Sequence, residues 1–586
     1  MSNTYALEAG RLLLEADSNT GALTLHDAAS GERLLIVPDK GVFVPVFESL
    51  RPNVRLTGIV RTEDGNGLVM SYAGEGLERL NVIWEARSEG LTVRCAFAPA
   101  TDSSLSAIDL FPAGTQINMY DLINFRNRHH TPNTWPELNF GMTIDTTTYS
   151  NDWQFAPHPS MFVLRKDSIA LVFGALSLPD SFGMSLAAED FLLRSWRLDY
   201  GGEQWGFPIA AGQTFESPVF VLFSAISGGG DVYSTVKEYA DALIRGRWIP
   251  NPADKPWIAW HRDNLYCTWH DQGYRSSVYM PTSLEEQSVA GSLDEGAAAL
   301  NEQLVLDAVG TIERERLPFR TILIDAGWAK VSGEWVPHPE RFPDFRGLVD
   351  RLHAKGYKVI VWWNWAELYD EAFAQRRHLI AGGKKNRHGR RMRDYSHPAT
   401  QSEYLLPLLE TMLSSAPGCY DVDGVKTDFL ADKVHADMPI HDPAWRGEEN
   451  YFYHVYKLFY GEMKRIKPDS CHIGCAGHPY LAEFTDINRT YDIFSSDPRE
   501  HLERARMLQC TSPGTPVAFD FHCYAERHER YFDLALEADC SVQIGNVLAM
   551  RRDYFSSWEP ADDAYYGMLR AGLERHARRF GGDWRP

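Results

Sequence analysis

Residues 344–363 read DFRGLVDRLHAKGYKVIVWW, and this stretch decides the fold class. Phe345, Leu348, Val349 and Leu352 fall at i, i+3, i+4 and i+7, which predicts a helix with one apolar face. Lys355 suits the last turn, facing the negative end of the helix dipole, and Gly356 suits the next position, where the backbone turns left-handed. Five apolar residues follow without a polar break, Val359 to Trp363, and predict a strand buried on both faces. A helix feeding a doubly buried strand is the repeat unit of a parallel α/β architecture.

Working outward from this unit, eight candidate strands fall near 257–260, 321–325, 357–363, 423–428, 471–475, 492–496, 516–520 and 542–548. The spacers between them have mostly helical character, so residues 257–586 are expected to form a (β/α)8 TIM barrel. A doubly wound sheet would need a Gly-rich phosphate turn after its first strand, and Trp257-Ile258-Ala259-Trp260-His261-Arg262 is not one. Upstream the texture differs. Short apolar segments recur, such as 11–15, 22–26, 41–47, 91–97 and 169–173, several of them alternating apolar and polar residues, with Gly, Asn and Asp between them. Residues 1–226 are therefore expected to be an N-terminal β-sandwich domain. Ser227-Gly228-Gly229-Gly230 breaks that pattern, and residues 227–256 read as a helical linker ending in Asn251-Pro252-Ala253-Asp254-Lys255-Pro256. The fold class expected is multidomain, β followed by α/β.

Composition narrows the function. Lys plus Arg is 58 and Asp plus Glu is 79, so 58 − 79 gives a net charge of −21. That field repels phosphates, and no nucleic-acid partner is expected. No run of 18 or more apolar residues occurs, so no membrane span is expected. The start lacks a basic segment followed by an apolar one, and with only 8 cysteines a cytoplasmic location is expected. Cys471 and Cys475 have no second pair at zinc-ribbon spacing, and the chemistry below needs no metal or organic cofactor. Seventeen tryptophans and 26 tyrosines suit a core, and also suit the C–H faces of sugars.

In a barrel the informative polar residues are those that end apolar strands. Ile322-Leu323-Ile324-Asp325, Val425-Lys426-Thr427-Asp428 and Ile493-Phe494-Ser495-Ser496-Asp497 each place a carboxylate there. A lone strand-end Asp is most often a turn former or helix cap. Three of them suggest the paired carboxylates of glycoside hydrolysis, one attacking the anomeric carbon and one protonating the leaving oxygen. Asp428 and Asp497 lie two strands apart in the expected order. Lys426 stands two residues before Asp428, on the same face of a strand, where an ammonium favours an ionised nucleophile. Its bland reading is a structural ion pair.

With these motifs in order, the sequence resembles the α-galactosidases of glycoside hydrolase family 36, in the melibiase clan. The resemblance covers residues 256–512, with a weaker match to the sandwich. Asp325-Ala326-Gly327-Trp328 resembles the family's acidic pair before Gly-Trp; Gly333-Glu334-Trp335, Phe342-Pro343 and His353-Ala354-Lys355-Gly356 resemble the stretch after it. Lys426-Thr427-Asp428 matches the nucleophile motif, and Ser496-Asp497 matches the acid/base motif, 497 − 475 = 22 residues after Cys475. The two carboxylates are 497 − 428 = 69 residues apart, about the family's interval. The resemblance implies Asp428 as nucleophile and Asp497 as acid/base. It implies Asp325, Trp328, Lys426 and Cys475 in the sugar subsite, Trp260 and Trp362 as its walls, and Arg393 on a sugar hydroxyl or on the nucleophile. Trp260 and Trp362 read equally well as core, and Arg393 as part of a solvated run. The chain departs from the family at Ala326, where a second acid is replaced, and at Ala476-Gly477-His478-Pro479, where a Gly-rich stretch with an Arg is replaced. His478 either restores the lost contact or is a loop histidine. Residues 274–310 are longer than the family's usual first loop.

The reading is a retaining α-glycosidase with a carbohydrate substrate. The alternatives are a transglycosylase with the same two carboxylates, and a non-catalytic carbohydrate-binding protein on a decayed barrel. The sugar and linkage stay open, and a homo-oligomer is compatible with the resemblance.

Overall fold

Period-two alternation builds the first half of the chain. In the meander Thr4–Ala9, Leu12–Asp17, Leu23–Asp27 and Arg33–Val37, one set of side chains (Leu12, Leu14, Ala16, Leu23, Leu25) is buried and the alternate set meets solvent. The computed structural model describes residues 4–48, 50–124, 133–135, 142–145, 160–201, 206–226, 232–276, 297–330, 333–365, 367–368, 391–428, 438–474, 477–490, 499–521, 525–553 and 556–580. Among them, the first half forms an eleven-stranded and a ten-stranded sheet whose inner faces share one apolar core. Phe173 and Phe220 stack at 4.9 Å in that core, with Trp196 edge-on to Phe173 at 4.8 Å. Each such ring removed from water contributes about 2–3 kcal/mol.

The second half contains a closed barrel of eight parallel strands. In order these are Leu265–Cys267, Thr321–Ile324, Lys358–Trp363, Gly424–Thr427, Cys471–Gly474, Ile487–Arg489, Val517–Asp520 and Ser541–Ile544. Leu265, Cys267, Leu323, Ile360, Cys471, Ile473, Ile487 and Ala518 fill its interior. The deciding stretch forms the helix Phe345–Ala354 and the third strand. Asp344 caps the helix, accepting the Gly347 N–H at 2.9 Å, and Gly356 ends it at φ 86°. Asp271 closes the seam between strands eight and one. Its buried carboxylate accepts Val547 N–H at 2.9 Å and Tyr266 Oη–H at 2.7 Å.

Two expected strands are placed differently. Residues 257–260 are not a strand: Trp257 is exposed, Ala259–Arg262 is a short 3-10 turn, and the first strand starts at Leu265. Of this stretch Trp260 packs under the barrel, against the interior cluster, while Trp257 and Ala259 are exposed. The sixth strand is Ile487–Arg489, and the expected strand at 492–496 lies outside the described residues. Hydropathy passes over it because two of its three residues, Asn488 and Arg489, are polar.

The two halves share buried contacts. The helix Val232–Arg245 packs on the strand Ile169–Ala175 and on the helix Arg499–Thr511, with Val172, Tyr239, Leu243, Tyr480 and Met507 in one cluster. Tyr480 Oη donates to the Leu176 and Ala175 carbonyls. No helix among the described residues is long and apolar enough to cross a membrane.

Candidate active site

Parallel strands in register bring alternate side chains to the C-terminal rim of the barrel. Inward-facing there stand Asp325 after strand two, Trp362 on strand three, Lys426 and Asp428 on and after strand four, Arg489 on strand six and Asp520 on strand seven. Asp428 lies at the centre. Its Oδ2 accepts Trp362 Nε1–H at 3.0 Å and lies 3.7 Å from Lys426 Nζ; its Oδ1 accepts Arg489 Nη2–H at 3.1 Å. Arg489, fully buried, also donates Nη1–H to Asp520 Oδ2 at 2.6 Å. Gln543 Nε2–H holds Asp520 Oδ1 at 2.7 Å, and Thr490 Oγ1 accepts the Asp520 N–H at 3.0 Å.

Lys426 binds Asp325 more closely than Asp428. Its Nζ donates to Asp325 Oδ2 at 2.7 Å, and the same oxygen accepts the Cys267 thiol at 3.2 Å. Asp325 Oδ1 accepts the Ala326 N–H at 2.8 Å. Burial and the neighbouring Arg489 push the Lys426 ammonium down, but Asp325 and Asp428 outweigh both, so it stays protonated. Burial, then Asp325, raises the Cys267 thiol well above its ordinary value and keeps it a thiol. Behind the strand, Thr427 is fixed by His472. The His472 Nδ1–H donates to the Phe484 carbonyl at 2.6 Å, leaving Nε2 to accept the Thr427 hydroxyl at 2.9 Å.

Other expected site residues sit elsewhere. Trp260 is under the barrel: its ring faces Lys358 Nζ at 5.4 Å, and Lys358 opens strand three at the N-terminal end. It therefore walls no sugar at the rim. Trp328 is completely buried, stacked on Phe345 at 5.3 Å with Nε1–H on the Trp362 carbonyl, and belongs to the core between strand and helix. His478 is buried as well, paired with Glu449 Oε2 at 2.8 Å while its Nδ1 caps Tyr480 N–H. Glu449 in turn accepts the Ser160 hydroxyl from the N-terminal half, so His478 is part of a clasp between the halves. Arg393 donates to the Gly333 carbonyl at 3.0 Å and lies 3.5 Å over the Tyr404 ring, serving the loop that carries Trp335. Trp335 leans on Trp362 at 5.7 Å. Cys475 and Asp497 lie outside the described residues.

Three contributors escaped the sequence reading. Arg489 and Asp520 carry no motif, and Arg489 is visible only as an unexpected charge beside Ile487. Trp269, two residues past strand one, is half-buried and rests on the interior cluster from the rim side, the place assigned to Trp260. Its signal was a tryptophan just after a strand whose position had been misjudged.

Residues 294–467 match the family described as Glycosyl hydrolases family 31 TIM-barrel domain. That match falls on part of the barrel, and the chain spans about an eighth of the length of the curated relative it matches. An "A type blood alpha-D-galactosamine galactosaminidase" of Flavonifractor plautii is 27% identical over 164 residues, spanning 27% of this chain and 12% of that protein. Among solved structures, the GH36 α-galactosidase AgaA of Geobacillus stearothermophilus, in complex with stachyose, superposes with a TM-score of 0.62 at 13% identity, covering 98% of this chain and 86% of that one. The α-N-acetylgalactosaminidase NagBb of Bifidobacterium bifidum, in complex with GalNAc, gives 0.62 at 12% identity, with 98% and 93% covered. A GH31 dextranase of Flavobacterium johnsoniae gives 0.51 at 12% identity, with 99% and 68% covered. The family model is thus that of family 31, while the similar solved structures include both a GH36 α-galactosidase and a GH31 dextranase. What they share is a glycosidase TIM barrel behind an N-terminal sheet-rich domain.

Proposed function

We propose that this chain is a retaining α-glycosidase acting on terminal α-linked galacto-configured sugars, with the 2-substituent either a hydroxyl or an acetamide. The observation that carries the reading is Asp428, a strand-end carboxylate with one oxygen on Trp362 Nε1 and the other on Arg489, and with Lys426 beside it. In the first displacement an Asp428 oxygen bonds to the anomeric carbon. The bond to the aglycone breaks, and its electron pair leaves on the aglycone oxygen, which takes a proton from the acid residue. In the second, a water oxygen bonds to that carbon, its proton goes to the same acid residue, and the ester electron pair returns to Asp428. The preference for galacto-configured sugars is supported by the similarity to a galactosaminidase and by the galactosidase-type fold neighbours.

Asp497 is our acid/base. The sixth strand ends at Arg489, so a second carboxylate, Asp492, follows it by 492 − 489 = 3 residues, against 497 − 489 = 8 for Asp497. Substitution separates them. The test is a panel of aryl α-galactoside, α-N-acetylgalactosaminide, α-glucoside and β-L-arabinopyranoside, followed by Asp428→Gly and Asp497→Ala with sodium azide. Asp428→Gly is expected to lose turnover and to regain it with azide as the β-glycosyl azide. Asp497→Ala is expected to give the α-azide, with Asp492→Ala near wild type. Undiminished turnover in Asp428→Gly, or a first wild-type product whose anomeric configuration is opposite to that of its substrate, defeats the proposal.

A further inference from the structure

The groups around Asp428 form one buried chain of alternating charge: Asp325, Lys426, Asp428, Arg489, Asp520. Links of 2.7, 3.7, 3.1 and 2.6 Å join them in that order. Three carboxylates against two cations leave 2 − 3 = −1. Lys426 is held mainly by Asp325, and among the described residues Arg489 is the cation in direct hydrogen-bond contact with Asp428. Arg489 is itself held in place, since Asp520 is pinned by Gln543 and by the Thr490 hydroxyl. The guanidinium therefore stays put when Asp428 changes charge.

That change happens during the reaction proposed above, on which this inference rests. When Asp428 becomes an ester, its negative charge disappears and Arg489 faces a neutral carbonyl. When the ester breaks, the charge returns against a donor already aimed at it, with no reorganisation needed. The same donor occupies electron density that the attacking oxygen needs, so its benefit is concentrated in the second displacement, where Asp428 is the leaving group. We infer that Arg489 is the residue that lets Asp428 depart from the glycosyl-enzyme, and that Asp520 acts through it as a positioning residue.

The experiment uses the full chain and an aryl α-glycoside with a good phenol leaving group, accepted by the wild type. Arg489→Lys, Arg489→Gln and Asp520→Asn are compared by steady-state kinetics, stopped-flow phenol release and intact-protein mass. The expected result for the arginine variants is a kcat lower by about 10²-fold, a lower KM, a burst of one phenol per site and a protein heavier by one sugar residue. Asp520→Asn is expected to show the same pattern with a smaller fall. Azide, which attacks the anomeric carbon without general-base help, leaves the expelled carboxylate unchanged and so does not restore the rate to wild type. A raised KM with no burst, or kcat within twofold of wild type, overturns the inference. If the arginine variants do not fold, Asp520→Asn decides: a burst with the mass adduct supports the inference and its absence overturns it. Silence of the wild type on every glycoside tested removes the proposed function itself, whereas active wild type with unaffected variants removes only this inference.

Discussion

At the scale of single residues, the site is organised around where a carboxylate finds its donors. Trp362 Nε1 and Arg489 Nη2 take different oxygens of Asp428, which fixes the plane of the carboxylate as well as its charge. Trp362→Phe leaves an aromatic ring toward Trp335 but removes the N–H together with one ring of the indole. It is expected to lower kcat about 10- to 100-fold with KM within about threefold, since a buried donor to a reacting oxygen is lost. Steady-state kinetics on a variant with an unchanged melting curve checks this; kcat within twofold of wild type would show that the indole N–H is idle. Lys-x-Asp was readable as a motif because its two members share one strand face. Arg489 was not, because nothing within a three-residue polar strand says that its side chain reaches a residue 61 positions earlier.

At the scale of elements, local rules and packing separate cleanly. Asp344 capping, the apolar face at Phe345, Leu348, Val349 and Leu352, and the Gly356 stop are all local, and all are visible in the letters. Asp344→Ala is expected to cost about 1 kcal/mol, the ordinary worth of a helix cap. Gly424 is a different case. A Cβ there would meet the Cys471 carbonyl oxygen at 2.1 Å, on the backbone of the next strand. Gly424→Ala must spread strands four and five, and is expected to destabilise by roughly 2–3 kcal/mol, the upper range of overpacking. It is also expected to reduce activity, because Lys426 and Asp428 ride on the same strand. Paired thermal melts check both, and a Gly424→Ala midpoint no lower than that of Asp344→Ala would contradict the argument. Residues 257–260 have strand-like hydropathy, yet Trp257 is exposed and Trp260 packs beneath the barrel from a 3-10 turn, so the first strand starts later.

At the scale of the whole molecule, stability depends on histidines kept neutral by burial. Desolvation lowers His261, His472 and His576 to about 4 from 6.5. A depressed histidine contributes stability that is present above its unfolded value and is lost as pH falls through the folded one. Each is linked to roughly 3 kcal/mol between pH 6.5 and 4. Desolvation raises Asp263 and Asp271 to about 6 from 3.8, which works in the opposite sense, with stability present below 3.8 and lost as pH rises through 6. Among the largest shifts three histidines outweigh two aspartates; His454, also lowered by burial, adds to them, and Asp180, Glu238 and Glu483, raised by burial, oppose them in part. The melting temperature is therefore expected to fall as pH drops from 6.5 to 4, and a further fall is expected below 3.8, where Asp423, held near 2 against its own burial by His353, Lys467, Val359 N–H and Lys358, takes up its proton. Calorimetry across that range is the check, and a melting temperature that holds or rises on acidification would contradict it.

The sequence by itself determined the sheet-rich first half, the helix-and-strand texture of the second half and the placing of Lys426 and Asp428 on one face of one strand, where we propose the chemistry. Each follows from periodicity or from residues that are neighbours on one element. Only the tertiary structure decided which side chains face Asp428. Barrel closure brings Asp325 to Lys426 across 101 positions and Arg489 to Asp520 across 31, while it sends Trp260 below and His478 into the clasp between the halves. Convergence of this kind is set by strand register and barrel curvature, which no local pattern encodes.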